Sequence, residues 1–222
     1  TQLYGLTETV GAGTALQPED HVGDRLRSCG KAYPGLDIKV FDANDKEVKT
    51  GEVGEIVIAG PTVMKGYWKQ PEATAKSIKI KRSFLGGEKR WFYTGDAGFF
   101  DKDGFLYIYD RVKDMIVSGG ENVFSAEVEN ALMQHEAVGE CAVIGVPDDK
   151  WGERVHAIVV PKAGRSVSAD EIVSHCKALI AGYKCPRSVD VRAEALPKSG
   201  AGKILKVDLR QPFWADKSRN VN

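Results

Sequence analysis

The chain has 222 residues, of which 42% are hydrophobic and 28% charged, so it can bury a sizeable core in one or two domains. Lys plus Arg and Asp plus Glu both number 31, and this zero net charge gives no reason to expect a nucleic-acid partner. No apolar run approaches the roughly 18–20 residues that span a bilayer, so we expect no transmembrane segment. The four cysteines are widely spaced, which favours reduced thiols in a cytoplasmic protein.

The first half of the chain is predicted to form short strands separated by polar turns. Apolar runs predict strands at 37–41, 55–59 and 91–94, and a polar segment that begins with proline predicts a short helix from 71 to 76. Residues 98–100 and 105–109 flank a turn that ends in Asp103-Gly104. Because Asp-Gly favours the positive φ of tight turns, this stretch predicts a hairpin. Residues 1–110 are therefore predicted to be a β-rich subdomain.

After Asp110 the pattern changes to alternating helices and strands, which predicts a small α+β domain over residues 111–222. Ser125 is predicted to cap a helix that runs to about Gln134. Ser168 and Glu171 form a capping box. The helix that it opens is predicted to present four residues on one face: Ile172, Cys176, Leu179 and Ile180. Strands are predicted at 140–146, 155–160 and 188–192, and the domain boundary between Asp110 and Lys113.

Four short motifs, each modest evidence alone, follow one another along the chain. They are Tyr4-Gly5-Leu6-Thr7-Glu8, Tyr93-Thr94-Gly95-Asp96, the segment from Asp110 to Val123 that contains Ser118-Gly119-Gly120, and Pro197-Lys198-Ser199-Gly200-Ala201-Gly202-Lys203. In this order they resemble the last third of the adenylate-forming superfamily of acyl- and aryl-CoA synthetases, peptide-synthetase adenylation domains and firefly-type luciferases. The resemblance covers nearly the whole chain. It implies an α+β fold, in which residues 1–110 end a large AMP-binding domain and residues 111–222 form a mobile cap.

The resemblance implies nucleotide-binding roles for the first two motifs. Tyr4, Gly5 and Thr7 would contact the nucleotide, with Tyr4 stacking on adenine and Thr7 hydrogen-bonding the α-phosphate. Glu8 would hold Mg²⁺, and a hard carboxylate suits a hard cation. Asp96 would bind the ribose hydroxyls, because a carboxylate has two acceptor oxygens. The residues alone leave an ordinary surface turn open for both motifs.

The resemblance implies that the third motif contacts the ribose or a phosphate of the nucleotide and also takes part in domain movement. Arg111 would contact the nucleotide, Lys113 would be the hinge of the cap, and Gly119 and Gly120 would line a channel for the pantetheine of coenzyme A. A hinge absorbs its φ/ψ change in a few loop residues, often without conspicuous chemistry. From the residues alone, the charges near Arg111 equally suit a solvated cluster, and Gly119-Gly120 a plain turn.

Lys203 is the strongest catalytic candidate. It follows Gly200-Ala201-Gly202, where missing side chains allow mobility and close approach to a ligand. Its ammonium can bridge a carboxylate and the α-phosphate as the acyl oxygen attacks. The segment is not a phosphate-binding loop of the G-x-x-x-x-G-K-[ST] type, since Pro197 and Ile204 occupy two of the required positions. The four histidines are predicted to be structural or exposed, and Trp151 is predicted to serve packing.

The resemblance therefore predicts a cytoplasmic ATP-dependent acyl-CoA synthetase, for example of fatty acid metabolism. Such an enzyme converts a carboxylic acid, ATP and coenzyme A to acyl-CoA, AMP and pyrophosphate through an acyl-adenylate, and uses Mg²⁺. The family's Ser/Thr/Gly-rich phosphate loop does not occur in these residues. We therefore expect the chain to lack the N-terminal part of its own enzyme and to be inactive alone. A carrier-protein-loading adenylation domain, a luciferase-like oxygenase and a non-catalytic binding module remain alternatives.

Overall fold

A computed structural model describes residues 1–82, 87–200 and 202–215 of the chain. The chain divides into two compact units, Thr1–Val112 and a second that begins at Lys113. The division falls within the stretch from Asp110 to Lys113 where the sequence changes its pattern. Strands predominate in the first unit, and the second alternates strands and helices. The predicted α+β fold class is confirmed. None of the helices in the described part of the chain combines the length and apolarity needed to cross a membrane.

The first unit begins with a small antiparallel sheet of three strands, β1 (Gln2–Tyr4), β2 (Thr14–Leu16) and β3 (Lys31–Ala32). Strands β1 and β2 pair from Gln2↔Leu16 to Tyr4↔Thr14, so the first motif begins inside the sheet and continues into the connection between them. Thr7–Thr9 forms a single 3₁₀ turn in that connection. The sheet therefore holds both ends of the connection that carries the first motif.

The larger sheet of the first unit is antiparallel throughout, with β4 (Asp37–Phe41), β5 (Gly54–Ala59), β7 (Glu88–Phe100) and β6 (Ile78–Arg82) in that order and β8 (Leu106–Arg111) paired with β7. Strands 37–41 and 55–59 are confirmed, whereas 91–94 is the middle of a much longer strand. The predicted hairpin is also confirmed, with Phe100 opposite Leu106 and Gly104 at φ +81°. The predicted short helix is α1 (Pro71–Ser77), with Pro71 in its first turn.

The second unit has a five-stranded sheet in which β10 (Glu121–Val123), β9 (Ile116–Ser118), β12 (Gly152–Pro161) and β11 (Val138–Asp148) are neighbours in that order. The last strand, β13 (Ser188–Val191), pairs with β12 in parallel. Three helices complete the described part of the unit: α2 (Ser125–Leu132), α3 (Ala169–Leu179) and α4 (Lys206–Trp214).

Both faces of strand β11 are buried, because successive side chains point to opposite sides of a sheet. Cys141 and Val143 belong to an apolar cluster that also contains Val128, Leu132, Ile172 and Cys176 from α2 and α3. Ala142, Ile144 and Val146 belong to a second cluster with Leu196 and with Leu209 of α4. Burial of one such aliphatic side chain contributes about 1.5–3 kcal/mol. The continuous apolar run in the sequence follows from this two-sided burial.

Two predicted details of the helices are wrong. Helix α2 begins at Ser125 with Phe124 in the capping position, and it ends at Leu132. Ser125 is buried and accepts a hydrogen bond from Lys206 Nζ at 2.7 Å. Leu179 is the last residue of α3 and 45% of it is exposed. Ile180 leaves the helical conformation and packs against the first apolar cluster, so the apolar face ends one residue beyond the helix.

The capping box of α3 is confirmed and leads to a stability prediction. Ser168 Oγ accepts from the Glu171 amide at 3.3 Å, and the Ser168 amide donates to Glu171 Oε2 at 2.7 Å. Ser168→Ala removes the acceptor of a helix N-terminus, so we expect the free energy of unfolding to fall by about 1 kcal/mol. Denaturant unfolding followed by circular dichroism measures it. Ser166→Ala, at an exposed position before the helix, is the matched control; equal midpoints for the two variants would contradict the prediction.

Candidate functional site

The loop after β1 holds Thr7 and Glu8 on a tightly packed main chain. A Cβ at Gly5 would lie 2.1 Å from the carbonyl oxygen of Gly11, so the close approach of the two segments requires glycine. Thr9 is buried, and its hydroxyl donates to the Leu6 carbonyl at 3.1 Å and accepts from the Leu6 amide at 3.2 Å. Thr7 is exposed, and Glu8 is partly exposed. The loop therefore presents both side chains from a fixed backbone.

Tyr4 lies in the core of the first unit, with 8% of its surface exposed. Its ring belongs to an apolar cluster with Ile38, Ile56 and Leu106, and its hydroxyl donates to Asp96 Oδ2 at 2.8 Å. Burial and the neighbouring Asp96 carboxylate raise the pKa of the Tyr4 hydroxyl far above its usual value. The hydroxyl is therefore a neutral donor at physiological pH. Stacking of Tyr4 on adenine stays a prediction, and the structure adds this contact with Asp96.

Asp96 is held by partners on both carboxylate oxygens. Arg111 Nε lies 3.0 Å from Oδ1 and Tyr4 donates to Oδ2, while the Asp96 amide donates to Thr94 Oγ1 at 3.0 Å. Asp96 is paired with Arg111 in the β7–β8 ladder, next to an irregularity between Ala97 and the following glycine. Since each carboxylate oxygen has about two acceptor sites, the partners among the described residues leave one site on each for a further donor. The structure thus brings together Tyr4, Asp96 and Arg111.

Glu55, which was not among the predicted site residues, supports the backbone of β7 just before Asp96. Its Oε1 accepts from the Gly95 amide at 2.9 Å, and Gly95 has φ +73°. Burial raises the pKa of the Glu55 carboxyl. Glu55 is a charged residue within an otherwise apolar strand, and a charged residue is seldom buried without a partner. This contrast is the sequence signal that could have identified it.

Glu8 is contacted by a residue far along the chain. The Tyr67 hydroxyl donates to Glu8 Oε1 at 2.9 Å, and the Met64 amide donates to the Glu8 carbonyl at 2.8 Å. No cluster of three metal-ligating side chains occurs within residues 1–82, 87–200 and 202–215. A single hard carboxylate nevertheless fits Mg²⁺ that also binds substrate phosphates, since Mg²⁺ is usually held by one or two carboxylates and phosphate oxygens.

The lysine loop is here defined as residues 196–200 and 202–205 around Lys203, and its two ends are joined by backbone hydrogen bonds above a buried base. The Ser199 amide donates to the Lys203 carbonyl and the Leu205 amide to the Pro197 carbonyl, both at 2.8 Å. Leu196 and Ile204 pack in the second apolar cluster. Lys203 is exposed, and its ammonium makes no ion pair among the residues that the structure describes. Ala201, which the sequence analysis placed in the glycine-rich context of Lys203, lies outside the described residues.

Glu140 on β11 anchors the lysine loop by its polar groups. It accepts a hydrogen bond from the Leu196 amide at 3.3 Å and pairs with Lys198. The hydrogen bond from Lys198 lowers the pKa of the Glu140 carboxyl. No local pattern in the sequence points to Glu140, because its contact with Lys198 joins positions 58 residues apart.

Gly119 and Gly120 form the two-residue turn between β9 and β10, where Ser118 pairs with Glu121. Their φ angles are +63° and +86°, and positive φ at both positions is what a type I′ hairpin turn requires. A Cβ at Gly119 would lie 2.6 Å from Trp151 Cε3, and the Gly119 amide donates to the Trp151 carbonyl at 2.9 Å. Trp151 therefore covers one side of this turn.

Lys113 is exposed and lies in a short 3₁₀ turn, Val112–Asp114, at the division between the two units. Its carbonyl accepts from Arg210 Nη1 at 3.3 Å, and Arg210 Nη2 lies 3.6 Å from Asp114 Oδ1. Helix α4 thus fixes the chain on the C-terminal side of the division. The hinge role of Lys113 stays a prediction.

Spacing along the chain did not reveal one Ser–His–Asp grouping in the second unit. His156 Nδ1 lies 2.8 Å from Ser188 Oγ, and Nε2 lies 3.5 Å from Asp190 Oδ2. His156 is 3% exposed, and the Phe213 ring lies 4.9 Å from its ring. Burial lowers the pKa of His156. A buried, ring-covered imidazole offers no access to a substrate.

Two family models match the chain in succession. The model described as AMP-binding enzyme matches residues 1–68, and the model described as AMP-binding enzyme C-terminal domain matches residues 127–203. The first match contains Tyr4, Thr7 and Glu8, and the second ends at Lys203.

Relatives and solved structures extend over nearly the whole chain. Feruloyl-CoA synthase from Amycolatopsis sp is 43% identical over 96% of this chain and 41% of its own length. Fatty acid–[acyl-carrier-protein] ligase ScoC from Streptomyces coeruleorubidus is 40% identical over 100% of the chain and 41% of its own length. Solved structures of o-succinylbenzoate CoA synthetase (MenE) from Bacillus subtilis also match. The complex with the acyl-adenylate OSB-AMP has a TM-score of 0.81 at 37% identity, over 100% of this chain and 42% of that one. The complex with ATP and magnesium ion has a TM-score of 0.80 at 38% identity, over 94% and 40%.

The chain spans about 41% of the length of the curated relatives that it matches first. Both family models, the relatives and the structural matches point to the same family. The chain belongs to the adenylate-forming family of AMP-binding enzymes.

Proposed function

We propose that the chain is the C-terminal part of an ATP-dependent acyl-CoA synthetase, which joins a carboxylic acid to coenzyme A through an acyl-adenylate. The observation that carries the proposal is that Lys203 is exposed and unpaired among the described residues, on a loop that is itself anchored. Its ammonium is exposed and makes no ion pair among the described residues, whereas the loop beneath it is anchored by Leu196, Ile204 and Glu140. A cation presented in this way is available for a phosphate without first breaking a contact.

The first unit supplies the nucleotide contacts in this proposal. Each oxygen of Asp96 can accept one further hydrogen bond, which suits the two hydroxyls of a ribose. Arg111 and Thr7 have exposed polar groups for phosphate oxygens, and Gly5 lets the loop carrying Thr7 pack closely. Glu8 would hold Mg²⁺, which when bound neutralises phosphate charge.

The adenylation step forms a bond between an oxygen of the substrate carboxylate and the α-phosphorus of ATP, and the bond to pyrophosphate breaks. Negative charge gathers on the α-phosphate oxygens as this happens. Lys203 would stabilise that charge and hold the attacking carboxylate close to the phosphate.

The thioester step requires Lys203 to leave and a thiol to enter. We place the pivot at Lys113, whose carbonyl is bound by Arg210, so that the rotation falls on bonds that precede this carbonyl. Gly119 and Gly120 would then line the path of the pantetheine, because a main chain without side chains leaves room for a narrow ligand. The thiol sulfur attacks the acyl carbon, the bond to AMP breaks, and the thiol proton leaves with the products.

A carrier-protein-loading ligase is the second candidate, and one observation favours it. Fatty acid–[acyl-carrier-protein] ligase ScoC matches the chain over its full length. The two candidates share the adenylate and differ in the thiol. Assays of the full-length protein with the same acid, offering coenzyme A or a phosphopantetheinylated carrier protein, separate them.

Lys203→Ala in the full-length protein tests the catalytic assignment. We expect ATP–pyrophosphate exchange to fall about 100–1000-fold, since one charge-stabilising group is lost. Conversion of preformed acyl-AMP to the thioester should stay within about twofold of wild type if Lys203 has left the site by then. Lys162→Ala, at an exposed lysine of the same unit, is the matched control. Equal losses in both half-reactions would contradict the alternating arrangement.

Asp96→Ala tests the ribose assignment in the full-length protein. We expect AMP to bind about 10–100-fold more weakly, because two hydrogen bonds to a carboxylate are lost. Binding of 2′,3′-dideoxy-AMP, which lacks both hydroxyls, should be the same in variant and wild type. Calorimetric titration measures both affinities, and Asp24→Ala at an exposed position is the control. A variant that weakens both ligands equally would refute the assignment.

The 222-residue chain by itself is expected to have no ligase activity. The reasons are that no Ser/Thr/Gly-rich phosphate loop occurs in these residues and that the chain spans about 41% of the length of its relatives. ATP–pyrophosphate exchange by the purified chain measures this, with the full-length protein as the positive control. Exchange by the chain above the rate of a protein-free blank would refute the prediction.

A further inference from the structure

The Glu8 carboxylate has a donor that comes from 59 residues further along the chain. Among the described residues, the Tyr67 hydroxyl is the group that donates to this carboxylate, at 2.9 Å from Oε1. The main chain of the same segment also contacts Glu8, because the Met64 amide donates to the Glu8 carbonyl at 2.8 Å. The segment from Met64 to Tyr67 therefore contacts Glu8 through both its backbone and its side chain.

Tyr67 is itself held in place by α1. Its amide donates to Thr74 Oγ1 at 2.9 Å, and the Gln70 amide donates to the Tyr67 carbonyl at 3.2 Å. A Cβ at Gly66 would lie 2.7 Å from Thr74 Cγ2, so the segment lies directly against the helix. These contacts fix the backbone from which the Tyr67 hydroxyl reaches Glu8.

Strand β7 holds the other end of the same segment. Arg90 Nη2 donates to the carbonyls of Met64 and Lys65, at 3.3 and 3.0 Å. The segment is thus bound at one end by a helix and at the other by a strand of the larger sheet. A hydroxyl on such a support has a defined position, which is what orienting a metal ligand requires.

The chemistry of the contact suits a carboxylate that must keep its charge. The Tyr67 hydroxyl donates to the carboxylate at 2.9 Å, and a phenol is a neutral donor at physiological pH. A lysine or arginine in the same place would offset the negative charge of Glu8 and compete with a cation. A neutral donor orients the carboxylate and leaves Oε2, together with one acceptor site on Oε1, for a further ligand.

We propose that Tyr67 is a positioning residue that orients Glu8 toward the divalent cation of a metal–nucleotide complex. The inference rests on the proposed function, in which Glu8 is the metal ligand. Hydrogen bonds to metal-ligating carboxylates typically change metal affinity or activity about 10–100-fold when they are removed. Tyr67→Phe removes the hydroxyl and keeps the ring, so packing against the segment is preserved.

Metal binding without turnover is the first measurement. Mn²⁺ is titrated into the full-length protein with a non-hydrolysable ATP analogue, and free Mn²⁺ is followed by electron paramagnetic resonance. We expect Tyr67→Phe to raise the Mn²⁺ dissociation constant about tenfold. Tyr33→Phe is the matched control, since the Tyr33 hydroxyl makes no hydrogen bond among the described residues, and it should bind Mn²⁺ as wild type does.

The Mg²⁺ dependence of ATP–pyrophosphate exchange is the second measurement. In Tyr67→Phe the Mg²⁺ concentration for half-maximal rate should rise about tenfold, while saturating Mg²⁺ restores the wild-type rate. On a Glu8→Gln background the same substitution should have no further effect on Mn²⁺ affinity, because the two residues act as one unit.

The outcomes separate the inference from the function on which it rests. Equal Mn²⁺ affinity in wild type and Tyr67→Phe overturns the inference alone, and so does a rate loss that saturating Mg²⁺ does not restore. If wild-type protein binds no Mn²⁺ with the nucleotide, or if Glu8→Gln binds it as wild type does, the assignment of Glu8 as the ligand fails and the inference falls with it.

Discussion

The first unit depends on one buried carboxylate that joins the beginning of the chain to residues about a hundred positions later. Asp96 is nine-tenths buried at its side chain and is bound by Tyr4 from β1 and by Arg111 at the end of β8. A buried charge without partners would cost several kcal/mol, so the three residues must assemble together. The small sheet and the larger sheet are thereby linked at the point where the nucleotide contacts are proposed.

Neutral tyrosines hold both proposed ligand-binding carboxylates. Tyr4 donates to Asp96 and Tyr67 donates to Glu8, and the pKa of each hydroxyl is raised. A neutral donor fixes the direction of a carboxylate while leaving its charge for a cation or its acceptor sites for a hydroxyl. Asp96 has Arg111 in addition, which agrees with a ribose role rather than a metal role, since a metal ion would compete with the guanidinium.

Local sequence patterns predicted most of the helices and strands. They could not predict contacts between residues that are far apart in the chain. The apolar runs at 37–41 and 55–59, the Asp-Gly turn and the Ser168 capping box are all local, and all are present. Ser125 was predicted to cap α2, but its hydroxyl instead accepts a hydrogen bond from the distant Lys206. Leu179 was predicted to lie on the apolar face of α3, but Ile180, beyond the helix, makes that contact. Single motifs selected Tyr4, Glu8 and Asp96. Their partner Tyr67 is 59 residues from Glu8, so no spacing rule could select it.

Two lysines three residues apart illustrate what the structure adds to a motif. Lys206 is 15% exposed at its side chain, and its ammonium lies 2.7 Å from Glu129 Oε1 and 2.7 Å from Ser125 Oγ. Moving Lys206 to a ligand would leave Glu129 with a partly buried charge that has lost this cation. Lys203 has no such contact among the described residues, and its neighbour Ile204 anchors the loop in an apolar cluster. The fold therefore holds Lys206 in an ion pair and leaves Lys203 without one among the described residues, so the local environment distinguishes two residues of identical type.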